Sequence, residues 1–266
     1  MAGAIALCSV MPTAYTRAVS PRLAECALTH LDRSPVDVTR ASRQHAAYEA
    51  ALADAGCRIV RLPDLPDDPD GVFVEDTAIL LGGDAIITRP GAPSRAGEVD
   101  SSAAGLAGEF QVHRLTAGTL DGGDVLRIER TLYVGLSSRT DPAGAAALAA
   151  IVAPLGYRLV TVKPAQCLHL KTAVTYAGRD AAGQPTILIN PDWVDPHLFE
   201  AVHAVHVAES SAANSLRVGD RLILPAGNPR TAERLVALGF NLVEVDVSEL
   251  QKAEAGVTCM SQVSGR

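Results

Sequence analysis

Short apolar segments, each led by a polar residue, recur at almost constant intervals along the chain. The polar residues are Asp76, Asp124, His169, Asn214 and Cys259, and successive members are separated by 48 residues and then three times by 45. A period of about 20–50 residues is typical of solenoids and propellers, in which each repeat is one supersecondary unit. The chain is therefore predicted to contain five similar units.

The units share a common order of elements. Residues 124–136 have the pattern of a hairpin, with turn-forming residues between two apolar runs. Residues 142–156 and 229–239 are predicted helices that end at glycine, and each is followed by a predicted strand, at 157–162 and 241–247. Each unit is thus predicted to have ββαβ form.

The fifth unit begins at Cys259 and contains only one strand before the chain ends. The N-terminal region can complete it, with a strand at 4–10, a helix at 37–56 whose N-cap is Asp37, and a strand at 57–63. Head-to-tail closure of five units produces a ring with a central channel. The predicted fold class is therefore α/β, a five-bladed α/β propeller whose last blade is completed by the N-terminus.

Closure of a ring brings equivalent repeat positions to one axis, so Cys259 and His169 become neighbours. A Cys beside a His is the signature of a nucleophile with its base. Taken singly, Cys259 and His169 could each be an ordinary core residue, and an Asp in DGGD could simply form a turn. Together they favour an active site, which the first two units supply with acids. These acids are Asp70, Glu75, Asp76, Asp121 and Asp124.

Composition excludes several other classes of protein. The net charge is −7 and no basic block occurs, which argues against nucleic acid as a partner. The five cysteines form no CxxC pair, as in a reduced cytoplasmic protein without disulfides. The sequence has no dinucleotide or triphosphate motif, no convincing metal-ligand set, no signal peptide and no apolar stretch of membrane-spanning length. We therefore expect no cofactor, no metal and no membrane partner.

The combination of groups indicates the chemistry. Several acids that gather in one buried site repel each other unless a cation joins them. A guanidinium is a planar cation that matches carboxylates bidentately, and its carbon accepts attack by a thiolate. The residues themselves therefore predict a cysteine hydrolase that acts on a cationic carbon.

At this point the motifs resemble a known family. The segments FVEDTAIL, ITRPGAPSR, LDGGDVL, VGLSSRT, LHLKT and VTCMS, in this order, are similar to those of the dimethylargininases of the guanidine-modifying pentein superfamily. The resemblance covers essentially the whole chain and implies a single domain over residues 1–266. It also implies hydrolysis of Nω-methylated arginines to citrulline and a methylamine, without a cofactor, by a cytoplasmic enzyme that could form a homodimer.

The resemblance assigns roles to ten residues. It implies Cys259 as nucleophile, His169 as general acid and base, and Asp121 as the acid that orients the imidazole. The implied substrate-binding residues comprise three acids near the guanidinium, two arginines that hold the substrate carboxylate, a lid residue and a backbone contact to the α-amino group. The acids are Asp70, Glu75 and Asp76, and the arginines are Arg95 and Arg139. The lid residue is Leu28, and the backbone contact is at Ala253.

Two alternatives remain open. An arginine or agmatine deiminase of the same superfamily typically carries an acid two residues after the catalytic His, whereas this chain has Lys171 there. If residues 169–171 form a strand, Lys171 shares the face of His169, and the missing acid would tolerate a methylated nitrogen. The other alternative is a binding protein with the same propeller, such as a ribosome anti-association factor, which lacks the catalytic Cys.

Overall fold

The structure is a computed structural model and describes residues 11–265. It contains five three-stranded sheets, and in each the middle strand pairs antiparallel with one neighbour and parallel with the other. The strands, in chain order, are β1 Thr13–Thr16, β2 Arg58–Arg61, β3 Ala78–Leu81, β4 Asp84–Ile87, β5 Gln111–Arg114, β6 Val125–Ile128, β7 Thr131–Gly135, β8 Arg158–Val162, β9 Val174–Arg179, β10 Pro185–Ile189, β11 His203–His206, β12 Leu216–Val218, β13 Arg221–Pro225, β14 Asn241–Val245 and β15 Gln262–Val263.

The five sheets are the blades of a propeller, as the sequence period predicts. The blades are β3-β4-β5, β6-β7-β8, β9-β10-β11, β12-β13-β14 and β15-β1-β2. The first strands of neighbouring blades contact one another, β6 against β9 and β9 against β12. These strands therefore surround the channel, and each blade radiates outwards from it.

The last blade is assembled from both ends of the chain. Strand β15 pairs antiparallel with β1, with Ala14 opposite Val263, and β1 pairs parallel with β2. All four residues of β1 are buried, as a middle strand between two neighbours requires. Closure by the N-terminal region is confirmed. The strand predicted at 4–10 lies outside the described residues, and the strand that closes the ring is β1.

Four of the five units have a helix between their second and third strands, as the predicted ββαβ form requires. These helices are α1 Val38–Asp54, α2 Glu98–Leu106, α3 Pro142–Val152 and α5 Pro229–Ala237. Residues 11–265 also contain two short helices that the sequence did not predict, α4 Leu170–Ala173 and α6 Ser248–Gln251. Asp37 caps α1 by accepting a hydrogen bond from the Arg40 N–H, as predicted. The third unit is the exception, because only the 3-10 turn Pro196–Leu198 lies between β10 and β11. Two prolines in this short connection, PDWVDPHLFEAV, disfavour a longer helix.

The repeated polar residues lie in or beside short turns that precede the first strand of each blade. The turns are Val74–Thr77, Gly122–Asp124, α4, Ser210–Ala213 and the residues that lead into β15. The first four turns contact one another in sequence around the axis. The strand considered for residues 169–171 is not observed, because His169 is the N-cap of α4. Because helix α4 begins at Leu170, the two-residue alternation of a strand does not apply to His169 and Lys171.

Five apolar clusters fill the spaces between blades and helices. One of them packs α1 against residues of β12, β13 and β14, and includes Val257 and Met260 on either side of the predicted nucleophile. Packing therefore holds the backbone of this turn in place. None of the helices in residues 11–265 combines the length and the apolar character that crossing a membrane requires.

Candidate active site

Seven of the ten predicted site residues line one small cavity of about 20 Å³ at the axis of the ring. They are Asp70, Asp76, Arg95, Arg139, His169, Ala253 and Cys259. Asp121 lies behind His169, Leu28 follows the lining residue Ala27, and Glu75 faces away from the cavity. The convergence predicted from the period is thereby observed, although these residues are up to 189 positions apart in the chain.

His169 is oriented by Asp121. Its Nε2 lies 2.9 Å from Asp121 Oδ2, and Asp121 is completely buried. The other Asp121 oxygen accepts a hydrogen bond from Gly91 N–H at 2.8 Å. A Cβ on Gly123 would lie 2.6 Å from His169 Nδ1, so the second glycine of DGGD allows the imidazole to pack on the turn.

The protonated form of His169 is favoured by nearby acids. Burial disfavours the imidazolium, but the charge of Asp76, the hydrogen bond to Asp121 and the charge of Asp124 outweigh burial and raise the pKa of His169 to about 9. Nδ1 lies 3.9 Å from Asp76 Oδ1, too far for a hydrogen bond. His169 therefore carries a proton near neutral pH, and its Nδ1 is directed towards the pocket acids.

Asp124 supports the His169 segment without reaching the pocket. Its two oxygens accept hydrogen bonds from Leu170 N–H at 2.9 Å, Ser137 hydroxyl at 2.6 Å and Thr140 hydroxyl at 2.7 Å. Burial of this carboxyl raises its pKa. Asp124 is thus one of the repeated polar residues, and its hydrogen bond with Leu170 N–H stabilises the backbone that follows His169.

Arg95 and Asp76 form a buried ion pair beside the pocket. Arg95 Nη1 lies 2.5 Å from Asp76 Oδ2, and the other guanidinium nitrogens donate to both oxygens of Glu98 and to Phe73 C=O. Burial disfavours the Asp76 carboxylate, but the charges of His169 and Arg95 hold its pKa below the ordinary value. Because every nitrogen of Arg95 already has an acceptor, a substrate carboxylate would have to compete with Asp76 and Glu98.

Arg139 is less occupied than Arg95. Its Nη2 donates to Thr29 Oγ1 at 3.1 Å, and its Nη1 lies 4.0 Å from Asp121 Oδ2. Arg139 lines the cavity while Thr29 belongs to the segment that contains the predicted lid. Among the two arginines that the resemblance implies as a carboxylate clamp, Arg139 has the greater donor capacity for a ligand.

The nucleophile candidate, Cys259, lies in a tight turn. Gly256 N–H donates to its Sγ at 3.3 Å, and its carbonyl accepts from Glu75 N–H at 3.1 Å. Burial together with the charges of Glu75 and Asp76 raises the pKa of the thiol to about 12. Cys259 is the one partly exposed cysteine among those in residues 11–265. Cys259 is therefore a neutral thiol near neutral pH, and a cation beside it would favour the nucleophilic thiolate.

The segment that contains Leu28 covers the pocket and is held from two sides. Ala27 N–H donates to the Asp70 carboxylate, whose pKa is raised by burial. The Glu254 carboxylate accepts from three successive backbone N–H groups, at Thr29, His30 and Leu31. Leu28 itself is half-buried and packs on the apolar cluster of the last blade.

Glu75 lies on the far side of the pocket floor, next to Lys171. Lys171 Nζ donates to Glu75 Oε1 at 2.5 Å, and Thr258 hydroxyl donates to Oε2 at 2.6 Å. All three residues line a second cavity, of about 560 Å³, while their neighbours Asp76 and Cys259 line the small one. The prediction that Lys171 lies on the face of His169, where a deiminase has its acid, is therefore wrong, and Lys171 pairs with the buried Glu75.

Sequence reasoning missed Glu98 and Glu254. The spacing of Arg95 and Glu98, three residues apart at a helix start, is the signal that could have identified their pair. Glu254 has no comparable signal, because its partners are more than 200 residues away in sequence. Asp76, Asp121 and His169 also place ligand atoms within 4.8 Å of one another, a spacing that could hold a metal ion, although Arg95 already neutralises Asp76.

Comparison with known proteins identifies the relatives of the chain. It is 42% identical over 257 residues to N(G),N(G)-dimethylarginine dimethylaminohydrolase of Streptomyces coelicolor, which covers 93% of this chain and 95% of the relative. The solved structure of a Cys-to-Ser mutant of DDAH from Pseudomonas aeruginosa, complexed with citrulline, has a TM-score of 0.89 at 34% identity and covers 96% and 99% of the two chains. No protein-family model matches the chain.

A second solved structure concerns the covalent chemistry of the family. It is a His-to-Gly mutant of dimethylarginine dimethylaminohydrolase as an adduct with S-methyl-L-thiocitrulline, with a TM-score of 0.88 at 34% identity and coverage of 96% and 100%. These likenesses extend over the fold and almost the full length of the chain. The chain belongs to the dimethylarginine dimethylaminohydrolase family of the pentein superfamily.

Proposed function

We propose that this protein hydrolyses Nω-methylated arginines to L-citrulline and dimethylamine or methylamine. The observation that carries the proposal is the pocket itself, where Cys259, the His169–Asp121 pair and the acids Asp70 and Asp76 line or support one small cavity. A cationic guanidinium fits this acidic surface, and its carbon is the electrophile that a thiolate attacks. Solved relatives hold citrulline, or an adduct with a thiocitrulline.

The reaction begins when substrate binding changes the ionisation of Cys259. The neutral thiol of Cys259 releases its proton to solvent as the guanidinium enters, because a positive charge nearby favours the thiolate. The thiolate forms a bond to the guanidinium carbon. His169, already protonated, transfers its proton to the methylated nitrogen as the C–N bond breaks. Dimethylamine leaves, and a thiouronium remains bonded to Cys259.

Hydrolysis of this adduct completes the cycle. His169, now neutral, takes a proton from water while the oxygen attacks the same carbon. Collapse breaks the C–S bond, and the hydroxyl proton passes to the departing sulfur, which releases citrulline and restores the neutral thiol of Cys259. Asp121 holds the imidazole in place and stabilises its charged form in both steps, since it accepts the Nε2 hydrogen bond at 2.9 Å. Proton transfers of this kind contribute about 10²–10⁴-fold.

Binding of the amino-acid end uses residues above the reacting centre. Arg139 receives the substrate carboxylate, assisted by Arg95, and the backbone at Ala253 accepts from the α-amino group. Asp70 and Asp76 face the guanidinium, and the segment that contains Leu28 closes over the substrate. This assignment is supported by cavity lining for all but Leu28.

The decisive experiment is incubation of the purified protein with asymmetric dimethylarginine, with citrulline and dimethylamine measured together. Equal amounts of both products are expected, and Cys259→Ser should release neither. Arginine under identical conditions should be turned over much more slowly. Equal or better turnover of arginine would replace this proposal by a deiminase activity.

We also propose a cytoplasmic location and assembly as a homodimer. The sequence contains five cysteines and no CxxC pair, which suits a reducing compartment. Sedimentation velocity across a range of concentrations tests the dimer, and a monomer at all concentrations would contradict it.

A further inference from the structure

We propose that Asn214 is a positioning residue of this active site, which holds the turn of the nucleophile in register with the segment of the general acid. Asn214 is the fourth of the repeat-equivalent polar residues and has no role in the chemistry described above. It lies just after the turn Ser210–Ala213 and is only 5% exposed. The inference rests on the proposed function, because a positioning effect is measured through turnover.

The carboxamide of Asn214 bonds to both catalytic segments. Its Nδ2 donates to Lys171 C=O and to Thr258 Oγ1, both at 3.0 Å, and its Oδ1 accepts from Thr258 N–H at 3.0 Å. Lys171 is two residues after His169, and Thr258 directly precedes Cys259. One rigid planar group therefore joins the backbones that carry the acid and the nucleophile.

The same carboxamide packs on the residue that donates to the sulfur. A Cβ on Gly256 would overlap the Asn214 side chain, so the contact depends on glycine at this position. Gly256 N–H donates to Cys259 Sγ at 3.3 Å, and this hydrogen bond favours the thiolate. A displaced carboxamide would consequently alter both the position of Sγ and the donor that stabilises its charge.

Asn214 also closes a ring of hydrogen bonds beneath the pocket. Thr258 hydroxyl donates to Glu75 Oε2, Lys171 Nζ donates to Glu75 Oε1, and Asn214 joins Thr258 back to the Lys171 carbonyl. The four residues come from the ends of four blades. An amide suits the position because it donates twice and accepts once, whereas a carboxylate would face two acceptors without a proton to share.

The experiment compares Asn214→Ala and Asn214→Asp with wild type on asymmetric dimethylarginine. We expect kcat to fall by about 10²-fold in both variants, as for a misplacement of about 1 Å between reacting groups. KM should stay within about threefold, since Asn214 does not line the pocket. Alkylation of Cys259 by iodoacetamide should also slow at fixed pH, a readout that loss of stability alone would not move.

The matched controls are Asn228→Ala and Asn228→Asp. Asn228 is completely buried, follows strand β13 in the same blade, donates to Pro225 C=O and accepts from the Ser211 hydroxyl, but lies away from the pocket. These variants should lose as much thermal stability as the Asn214 variants while keeping kcat. If the Asn214 variants do not fold, Thr258→Val removes the hydroxyl that accepts from Asn214 Nδ2 and donates to Glu75, and this partial loss of the link should lower kcat at constant KM.

Two results would overturn the inference. One is a kcat within threefold of wild type in folded Asn214→Ala, or in Thr258→Val if that variant is needed. The other is an equal loss of kcat in the Asn228 controls, which would indicate a general effect of stability. If wild type itself releases no citrulline, the proposed function fails; if wild type is active and the Asn214 variants match it, only this inference fails.

Discussion

A cationic reagent should modify Cys259 far faster than a neutral reagent of the same shape. Chloroacetamide and chloroacetamidine form such a pair, because they differ in charge but alkylate by the same displacement of chloride. The acids Asp70 and Asp76 line the pocket that the reagent must enter. The pair therefore tests whether the site activates its thiol only when a cation is present.

The size of the expected rate preference follows from the ionisation of Cys259 before the reagent binds. Burial and the carboxylates of Glu75 and Asp76 raise the pKa of Cys259 to about 12, so only a minute fraction is thiolate at pH 7.5. A unit charge about 4 Å from the sulfur contributes roughly 4 kcal/mol at an effective dielectric constant near 20. This energy corresponds to about a thousandfold more thiolate. The cationic reagent gains this factor, and the neutral one does not.

The assay is the second-order rate of inactivation for each reagent between pH 6.5 and 9, with the label located by peptide mass spectrometry. The ratio of the two rates for free cysteine thiolate corrects for intrinsic reactivity. After this correction we expect a preference of about 10²–10³-fold for the amidine. For the neutral reagent the rate should increase about tenfold with each pH unit over the whole range.

Two outcomes would refute this reasoning. A corrected preference below about threefold would mean that the pocket does not couple the ligand charge to the thiol. A plateau of the neutral rate below pH 8 would mean that the thiolate already exists in the free enzyme. In Cys259→Ser, mass spectrometry should detect no incorporation of either reagent, which excludes labelling of the other thiols as the cause.

Three further predictions concern single side chains. Arg139→Lys should raise KM for methylarginine at least tenfold, because Lys cannot bind a carboxylate through a planar pair of donors; efficient turnover of methylagmatine by wild type would contradict this role. Asp121→Asn should lower the pKa of His169 from about 9. The alkaline limb of the kcat/KM profile, which reports loss of the His169 proton, should therefore move to lower pH. An unchanged limb would contradict the pairing of His169 with Asp121. Asp124→Ala should reduce the free energy of unfolding in urea by roughly 3 kcal/mol, since three donors lose their acceptor, and a loss below about 1 kcal/mol would contradict its stabilising role.

The sequence alone determined the repeat, and with it the ring. A period of 45 residues led from Asp124 to Cys259 without any knowledge of contacts, and an incomplete fifth unit required the N-terminal region to close it. These inferences succeed because each blade is a local unit whose hydrophobic pattern and turns are encoded in consecutive residues. The motif resemblance added the roles of individual residues and the reaction.

The secondary structure of the residues at the axis was harder to predict from the sequence. Residues 168–173 carry the alternation of a strand, yet His169 caps a four-residue helical turn. The third unit has prolines and a short connection in place of its helix. At His169 contacts with neighbouring blades outweigh the local strand propensity. In the third unit the prolines and the short connection themselves disfavour the helix that the repeat predicts.

Only the tertiary structure decided which of the two cavities each of these side chains lines. Glu75 and Asp76 are adjacent, as are Thr258 and Cys259, but one member of each pair lines the substrate pocket and the other the opposite cavity. The partners that determine this division belong to other blades, such as Lys171 for Glu75. Their hydrogen bonds span 96 residues or more in sequence and form only after the ring has closed, so no local pattern contains them.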